Sequence, residues 1–281
     1  MDNITKEKVV DWFPIRKKDS YKNEYGNVLC VGGNKEMGGA IILSAKAALN
    51  SGAGLVTVAS ASENRTSLHA QVPEAMFKDS SNLVALARAI KQSDTILLGP
   101  GLGRDSDAKT IFNFVLKHVQ EKQWLILDAD ALYFYGELSD NYQLKTKEII
   151  LTPHLGEWEK ISAIKAPADH IEKNQLAVNR LNSTVVLKKA RTEVYSQEQV
   201  WKNTAGNPSM ATGGMGDTLA GIITGLLGQY PSKIEAILSA VYIHSAIADE
   251  LAKDYYVTLP SLISQELPIF MRKLAQESRK K

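Results

Sequence analysis

Six short runs in the first two-thirds of the chain are apolar at nearly every position rather than at alternate ones. They cover 27–33 (NVLCVGG), 54–60 (GLVTVAS), 94–101 (DTILLGPG), 124–130 (WLILDAD), 148–154 (EIILTPH) and 184–190 (TVVLKKA). A strand that is apolar on both sides is covered on both faces, as a central strand of a mostly parallel sheet must be. Between these runs, apolar residues return at helical spacing over 38–51, 83–92, 106–121, 156–164 and 168–182. The alternation of strand and helix predicts an α/β fold, a three-layer α/β/α sandwich around a central, mostly parallel sheet.

The pattern changes after residue 190. The segment TEVYSQEQVWKN (192–203) reads as a hairpin that adds an antiparallel edge to the sheet. Helical periodicity then predicts three helices, over 214–228, 232–255 and 262–279. Gly221 and Gly225 share one face of the first of these. Glycine is a poor helix former, so two on one face point to close packing against a neighbour. No repeat, linker or shift of composition interrupts the chain, and residues 1–281 read as a single domain.

Charge and composition narrow the classes of function. A net charge of +2, spread over scattered lysines and arginines with no basic run longer than RKK, argues against a nucleic-acid-binding face. No stretch of 18 apolar residues and no apolar leader is present, so membrane spans and export signals are not expected, and the cytoplasm is the expected location. The lone cysteine, Cys30, sits inside an apolar run and reads as a small core residue.

Four of the apolar runs finish in glycine or polar residues: VGGNKEMGGA (31–40), LLGPGLGRDS (97–106), LDADAL (127–132) and LTPHLGEW (151–158). Ligands of open α/β sheets bind at the carboxyl ends of the strands, so these junctions outline a long cleft. Neither G-x-x-x-x-G-K-[ST] nor a full G-x-G-x-x-G is present, so phosphate must be held in another way. The segment NPSMATGGMGDTLAG (207–221) supplies one. Gly213, Gly214, Met215 and Gly216 precede an apolar helix, and the unpaired amides and positive dipole end of that helix form an anion hole suited to phosphoryl transfer, centred on Gly214, Met215 and Gly216. Asp217 at the same place is expected to be ionised at neutral pH, and either caps the helix or accepts the proton of an attacking hydroxyl. The preceding glycines favour the base.

Other candidates are less sharply defined by their residues. His154 and Glu157 fit a helix entry; they also fit half of a metal site, with magnesium held by Glu157 through water preferred to zinc, because no zinc ligand cluster accompanies them. Asp128 and Asp130 could favour magnesium, orient a substrate or cap a helix. The run Lys188, Lys189, Ala190, Arg191 and Thr192 could reach nucleotide phosphates or simply turn into the hairpin.

In GPGLGRD, LDADAL, LTPHLGE and NPSMATGGMGDTLAG, the chain resembles the ADP/ATP-dependent NAD(P)H-hydrate dehydratases, a branch of the ribokinase-like superfamily. The resemblance extends over nearly the whole chain. It implies a repair reaction: ADP, or ATP in eukaryotes, phosphorylates the 6-hydroxyl of hydrated NADH or NADPH, and loss of phosphate restores the reduced nicotinamide. It further implies that Ala40, Gly103, His154 and Asp217 contact the hydrated dinucleotide. Lys188 to Thr192 and Gly216 would contact the adenine nucleotide, with Asp217 as the base. A homotetramer and a separate epimerase chain for the wrong hydrate epimer are implied with them, and magnesium is expected from the chemistry of phosphoryl transfer. The chain departs from the family's usual pattern at Leu155, where proline is usual, at Lys189, where glycine is usual, and at Tyr21, where histidine is usual. Two other readings compete: a ribokinase-like kinase of a vitamin-precursor alcohol, and a dinucleotide-binding protein without catalysis.

Overall fold

The computed structural model describes residues 1–138, 142, 144–146, 148–165 and 170–280. In chain order these form β1 (Asp2–Ile4), α1 (Lys6–Trp12), β2 (Asn27–Val31), α2 (Gly38–Asn50), β3 (Leu55–Ser60), α3 (Arg65–Gln71), β4 (Met76–Asp79), α4 (Leu83–Gln92), β5 (Thr95–Leu98), α5 (Ser106–His118) and β6 (Trp124–Leu127). There follow α6 (Asp130–Tyr135), β7 (Ile149–Leu151), α7 (Leu155–Ser162), α8 (Ile171–Leu181), β8 (Thr184–Leu187), β9 (Glu193–Tyr195), β10 (Val200–Asn203), α9 (Met215–Leu227), α10 (Lys233–Leu251) and α11 (Pro260–Ser278). The first two positions of the helix expected over 168–182 lie outside the described residues. None of the described helices is long and apolar enough to cross a membrane.

The strands make one sheet in the order β1-β10-β9-β8-β7-β6-β5-β2-β3-β4. Among them β9 alone runs against its neighbours. The hairpin is therefore present as β9 and β10, but it is not the edge: β1 pairs in parallel with β10, Asp2 opposite Trp201. Every predicted strand is shorter than its apolar run, because the glycine and polar tails leave the sheet to build loops. The short elements β1, β4, α1, α3 and α6 carry too few apolar positions for periodicity to mark them.

Pleating sends successive side chains to opposite faces, and both faces are apolar. Val28 and Cys30 of β2 enter one core, Leu29 and Val31 the other; Ile126 of β6 enters the first, Leu125 and Leu127 the second. The first core is closed by α1, α2, α9, α10 and α11, the second by α4 to α8. This is the predicted three-layer sandwich. Each such side chain contributes about 1.5–3 kcal/mol on leaving water, which is why the short central strands hold without long ladders. Cys30 is buried, and burial pushes its thiol up to about 12.

Helices α2 and α9 touch nearly backbone to backbone. A Cβ on Gly221 would lie 2.2 Å from the carbonyl oxygen of Ser44, and one on Gly225 would lie 2.6 Å from that of Ala48. The predicted reason for these glycines, close packing, holds. The Ser44 hydroxyl lies between the two helices, 3.1 Å from the Ala40 carbonyl oxygen and 2.9 Å from that of Asp217.

Gly221→Ala is therefore expected to lower the unfolding free energy by about 1–3 kcal/mol through overpacking against rigid backbone. Gly213→Ala, where a Cβ meets nothing within 4 Å, is expected to stay within about 0.5 kcal/mol of the parent. Urea denaturation of the two variants checks both.

Candidate active site

The loops after β2, β5, β6, β7 and β8 all emerge at one edge of the sheet. From β2 the chain moves outward through β3 to β4, then returns to β5 on the other side of β2. The loops after β2 and β5 thus diverge at a topological switch point, where open α/β sheets bind ligands.

Helix α9 begins in this cleft. Its N-cap, Gly214, sits at φ +89°, and a Cβ there would strike Leu43 and Pro260. A non-glycine residue in that left-handed conformation costs about 1–2 kcal/mol. No side chain caps the helix, and among the described residues no acceptor meets the amides of Met215, Gly216 and Asp217. Unlike the N-terminus of α5, where Asp105 takes the Ala108 amide at 2.8 Å, this one is left open.

Asp217 is half-buried in the first turn, and its carboxylate makes no cap. Burial first, and then the nearby Asp128, push its pKa up to about 6 from 3.8, against the opposing pull of Lys188. The group expected to be ionised at neutral pH is thus poised just below neutrality, where a general base is most effective.

Two more carboxylates and one ammonium surround it. Asp128, at the end of β6, is 1% exposed and accepts from Lys188 Nζ at 2.8 Å and from Thr152 Oγ1 at 2.7 Å. Burial alone would lower the Lys188 pKa, but Asp128 and Glu157 outweigh it, so the ammonium is held charged. The same ammonium lies 3.1 Å from where a Cβ on Gly216 would be, at the open end of α9. Asp128 is therefore neither a cap nor a free ligand; it aims Lys188 at the uncapped start of α9. Asp130 faces elsewhere. Its carboxylate accepts from the Gly103 amide at 2.9 Å and from Arg104 Nε at 2.8 Å, which ties α6 to the loop after β5. Ala129 between them adopts φ +48° to let the two carboxylates diverge.

His154 caps α7. Its Nδ1 accepts from the Gly156 amide at 3.0 Å, while Glu157 Oε2 accepts from the His154 amide at 2.8 Å. Glu157 is thus the return half of a capping box. Burial, before the attraction of Lys188, raises its pKa. Among the described residues no three His, Cys, Asp or Glu side chains converge on a metal position.

A cavity of about 700 Å³ opens beside Gly216. All five residues from Lys188 to Thr192 line it, with Met215, His154, His244 and the 205–211 loop. The 188–192 loop thus does both things open to it, turning into β9 and walling a cavity. Lys189 does not point a free charge inward, since its Nζ pairs with Glu193 at 2.9 Å. Arg191, at φ +63°, donates to the Thr204 carbonyl oxygen. Ala40 and Gly103 do not line this cavity; Ala40 Cβ lies 3.1 Å from where a Cβ on Gly101, in the loop after β5, would be.

Residues 28–269 match the family model described as NAD(P)H-hydrate dehydratase. The chain belongs to this family. A Staphylococcus aureus ADP-dependent (S)-NAD(P)H-hydrate dehydratase is 46% identical over 93% of this chain and 94% of its own. The crystal structure of a ribokinase-like superfamily protein from Enterococcus faecalis is 44% identical, with a TM-score of 0.95 over 98% of this chain and 97% of that one. The Bacillus subtilis ADP/ATP-dependent NAD(P)H-hydrate dehydratase, co-crystallised with ATP/Mg2+, is 28% identical, with a TM-score of 0.86 over 97% and 98% of the two chains. The fold of this dehydratase-family chain is ribokinase-like.

Two residues escaped the sequence. His244, on α10, is 5% exposed yet lines the cavity, and burial with the nearby Lys188 lowers its pKa to about 4, so it is neutral. On an apolar helix a lone histidine carries no signal of its own. Asp249, one turn further on, accepts from the Gly206 amide at 2.9 Å and from Asn207 Nδ2 at 2.7 Å, and so fixes the far wall of the cavity.

Two measurements test this electrostatic layout. Lys188→Met leaves Asp128 buried without its cation and is expected to cost about 3 kcal/mol of stability, with a smaller loss than the sum when combined with Asp128→Leu. The folded state holds the Asp217 proton more tightly than the unfolded chain does. Its ionised carboxylate therefore opposes folding above about pH 6, and that opposition fades as the pH falls towards 3.8. Asp217→Asn is accordingly expected to melt at or above the parent at pH 8, the gap closing by pH 4.

Proposed function

We propose that this protein is an ADP-dependent (S)-NAD(P)H-hydrate dehydratase that returns hydrated NADH and NADPH to their reduced forms. The single observation that carries the chemistry is Asp217. It is a carboxylate without a capping role, raised to about 6 and set on an open helix N-terminus beside the Lys188 ammonium. A base, an anion hole and a fixed cation are the three parts that transfer of a phosphoryl group to a hydroxyl needs.

The 700 Å³ cavity takes the adenine nucleotide, with its terminal phosphate at Met215, Gly216 and Lys188. The hydrated nicotinamide lies on the other side of Asp217, towards Ala40 and Gly103, with His154, which also lines the nucleotide cavity, at the boundary of the two. Asp217 accepts the proton of the 6-hydroxyl as its oxygen bonds to the β-phosphorus of ADP and the bond to AMP breaks. Phosphate then leaves with the C6–O bonding electrons, the ring nitrogen supplies a replacement pair, and loss of a neighbouring ring proton restores the dihydronicotinamide. ADP is the preferred donor.

Magnesium fits this donor set through water and phosphate oxygens rather than as a caged ion. Glu157 has one oxygen taken by the His154 amide and the other 3.5 Å from His154 Nε2, and both Glu157 and Asp217 have raised pKa values that a nearby cation would relieve. When bound it would neutralise charge on the transferring phosphoryl group. Glu157 is its candidate ligand. The protein works as one domain, in the cytoplasm, as a homotetramer, and depends on a separate epimerase for the other hydrate epimer.

The test supplies (6S)-NADHX, magnesium and either ADP or ATP, and follows absorbance of reduced nicotinamide together with inorganic phosphate. Recovery with equal phosphate release is expected, faster with ADP. The rate should fall below an acid limb near pH 6, and Asp217→Asn should lose about 10²–10⁴-fold in kcat. A stable phosphorylated product would mean a kinase instead, and no recovery with either nucleotide would overturn the reading.

A further inference from the structure

Among the chain's histidines His244 alone is buried. A histidine in a core is ordinarily satisfied by hydrogen bonds at its ring nitrogens. This one is not. Its Nε2 is enclosed by protein and has no hydrogen-bond partner among the described residues. A buried polar atom in that condition is costly and calls for a partner. The same ring lines the 700 Å³ cavity beside Gly216, so the unsatisfied group and the cavity coincide.

The cavity is lined in two unlike ways. Lys188, Met215 and Gly216 bring an ammonium to the uncapped start of α9, which suits phosphate. Ala205, Met210, Ala211 and Leu219 line it with apolar side chains, which suit the faces of a flat aromatic ring; methionine sulfur packs well on such rings. His244 adjoins the apolar lining. A Cβ on Gly206 would lie 3.5 Å from Ser245 Cβ and 3.8 Å from Met210 Sδ, so the loop that carries Met210 rests on α10 beside His244. Burial, and then the nearby Lys188, keep the imidazole neutral. A neutral imidazole offers one N–H donor and one lone-pair acceptor, as the edge of a heterocyclic base requires, and no charge for a phosphate. A half-turn about Cβ–Cγ exchanges ring nitrogens with ring carbons, so whichever edge borders the cavity can present a nitrogen to it.

Resting on the proposed reading of this cavity as the adenine-nucleotide site, we propose that His244 is a base-recognition residue, whose imidazole hydrogen-bonds the edge of the adenine ring while the Met210 loop packs on its face. The base supplies the partner that the fold withholds. His244 then sets nucleotide affinity and leaves phosphoryl transfer to Asp217 and Lys188.

The test uses His244→Leu, of similar bulk without a polar atom, and His244→Gln, whose amide still donates and accepts. Removal of a buried polar atom that has no partner is expected to leave the Leu variant melting at or above the parent in the absence of nucleotide. ADP should raise the melting temperature of the parent and raise that of the Leu variant less. KM for ADP should rise about three- to tenfold in His244→Leu, as loss of one neutral hydrogen bond implies, and His244→Gln should recover most of it. The value of kcat and the KM for (6S)-NADHX should not move, and the rise should be the same for 2′-deoxy-ADP as for ADP. A Leu variant that melts lower than the parent and loses affinity for both substrates would mark a structural histidine and overturn the proposal. An unchanged KM for ADP would overturn it too, as would a loss absent with 2′-deoxy-ADP, which would put the hydrogen bond on the sugar. An ADP-dependent melting shift in the parent without turnover of (6S)-NADHX would overturn the dehydratase reading alone, and the smaller or equal shift of the Leu variant would still decide for or against His244. No ADP-dependent shift in the parent would overturn both.

Discussion

The contact on which the rest of the site depends is the near-touching of α2 and α9. Two glycines one turn apart remove the side chains that would hold the helices 8–10 Å apart, as ordinary side chains do. The result is that two helix N-termini open side by side at the carboxyl edge of the sheet. One carries Asp217 and the open amides of Met215 and Gly216; the other carries Ala40. The Ser44 hydroxyl, within hydrogen-bonding distance of both Ala40 and Asp217 carbonyl oxygens, pins their relative height. A shift of either helix would move Asp217 with respect to the loops on the Ala40 side of the cleft, and positional errors of about 1 Å at a reacting centre are costly.

Charge is arranged around that frame with equal economy. Asp128 is buried so deeply that it must have a cation, and Lys188 supplies it. The pair is a poor source of stability, since desolvation offsets much of its attraction. What it provides is direction: a flexible lysine is fixed with its ammonium at the mouth of α9. The nearby Asp217 and Glu157 remain under-compensated, as their raised pKa values record. An arrangement short of positive charge is one that gains most when a proton or a cation arrives.

Much of this was legible in the sequence, and the parts that were not have physical reasons. Continuous apolar runs identified the central strands because burial on both faces leaves no polar register to read. The uncapped start of α9 was legible because glycines before an apolar helix leave amides uncovered. Gly221 and Gly225 were understood as packing devices, correctly. The strand ends were overrun, since an apolar residue in a loop looks like one in a strand. β1 was missed because three residues pair with a partner nearly two hundred positions away, and no local pattern announces such a contact. The divergent duties of Asp128 and Asp130 could not be separated by spacing alone; it takes the left-handed Ala129 between them to send one inward and the other to the 103–104 loop. His244 and Asp249 were invisible because a helix periodicity that explains burial has nothing to say about which buried face borders a cavity.

The parallel pairing of β1 with β10 has a consequence for how the chain assembles. Asp2 to Ile4 can dock only once Trp201 to Asn203 exist and lie in the sheet, and Lys6 meets its ion-pair partner, Glu277, later still. During synthesis the first dozen residues must wait, with Val9 and Val10 exposed that later belong to the core. Closing so long a loop is a modest entropic cost but a slow search. The edge strand is therefore expected to be the last element to join the sheet and the first to leave it, so that a segment made before its partner is the part whose order depends on what is made after it.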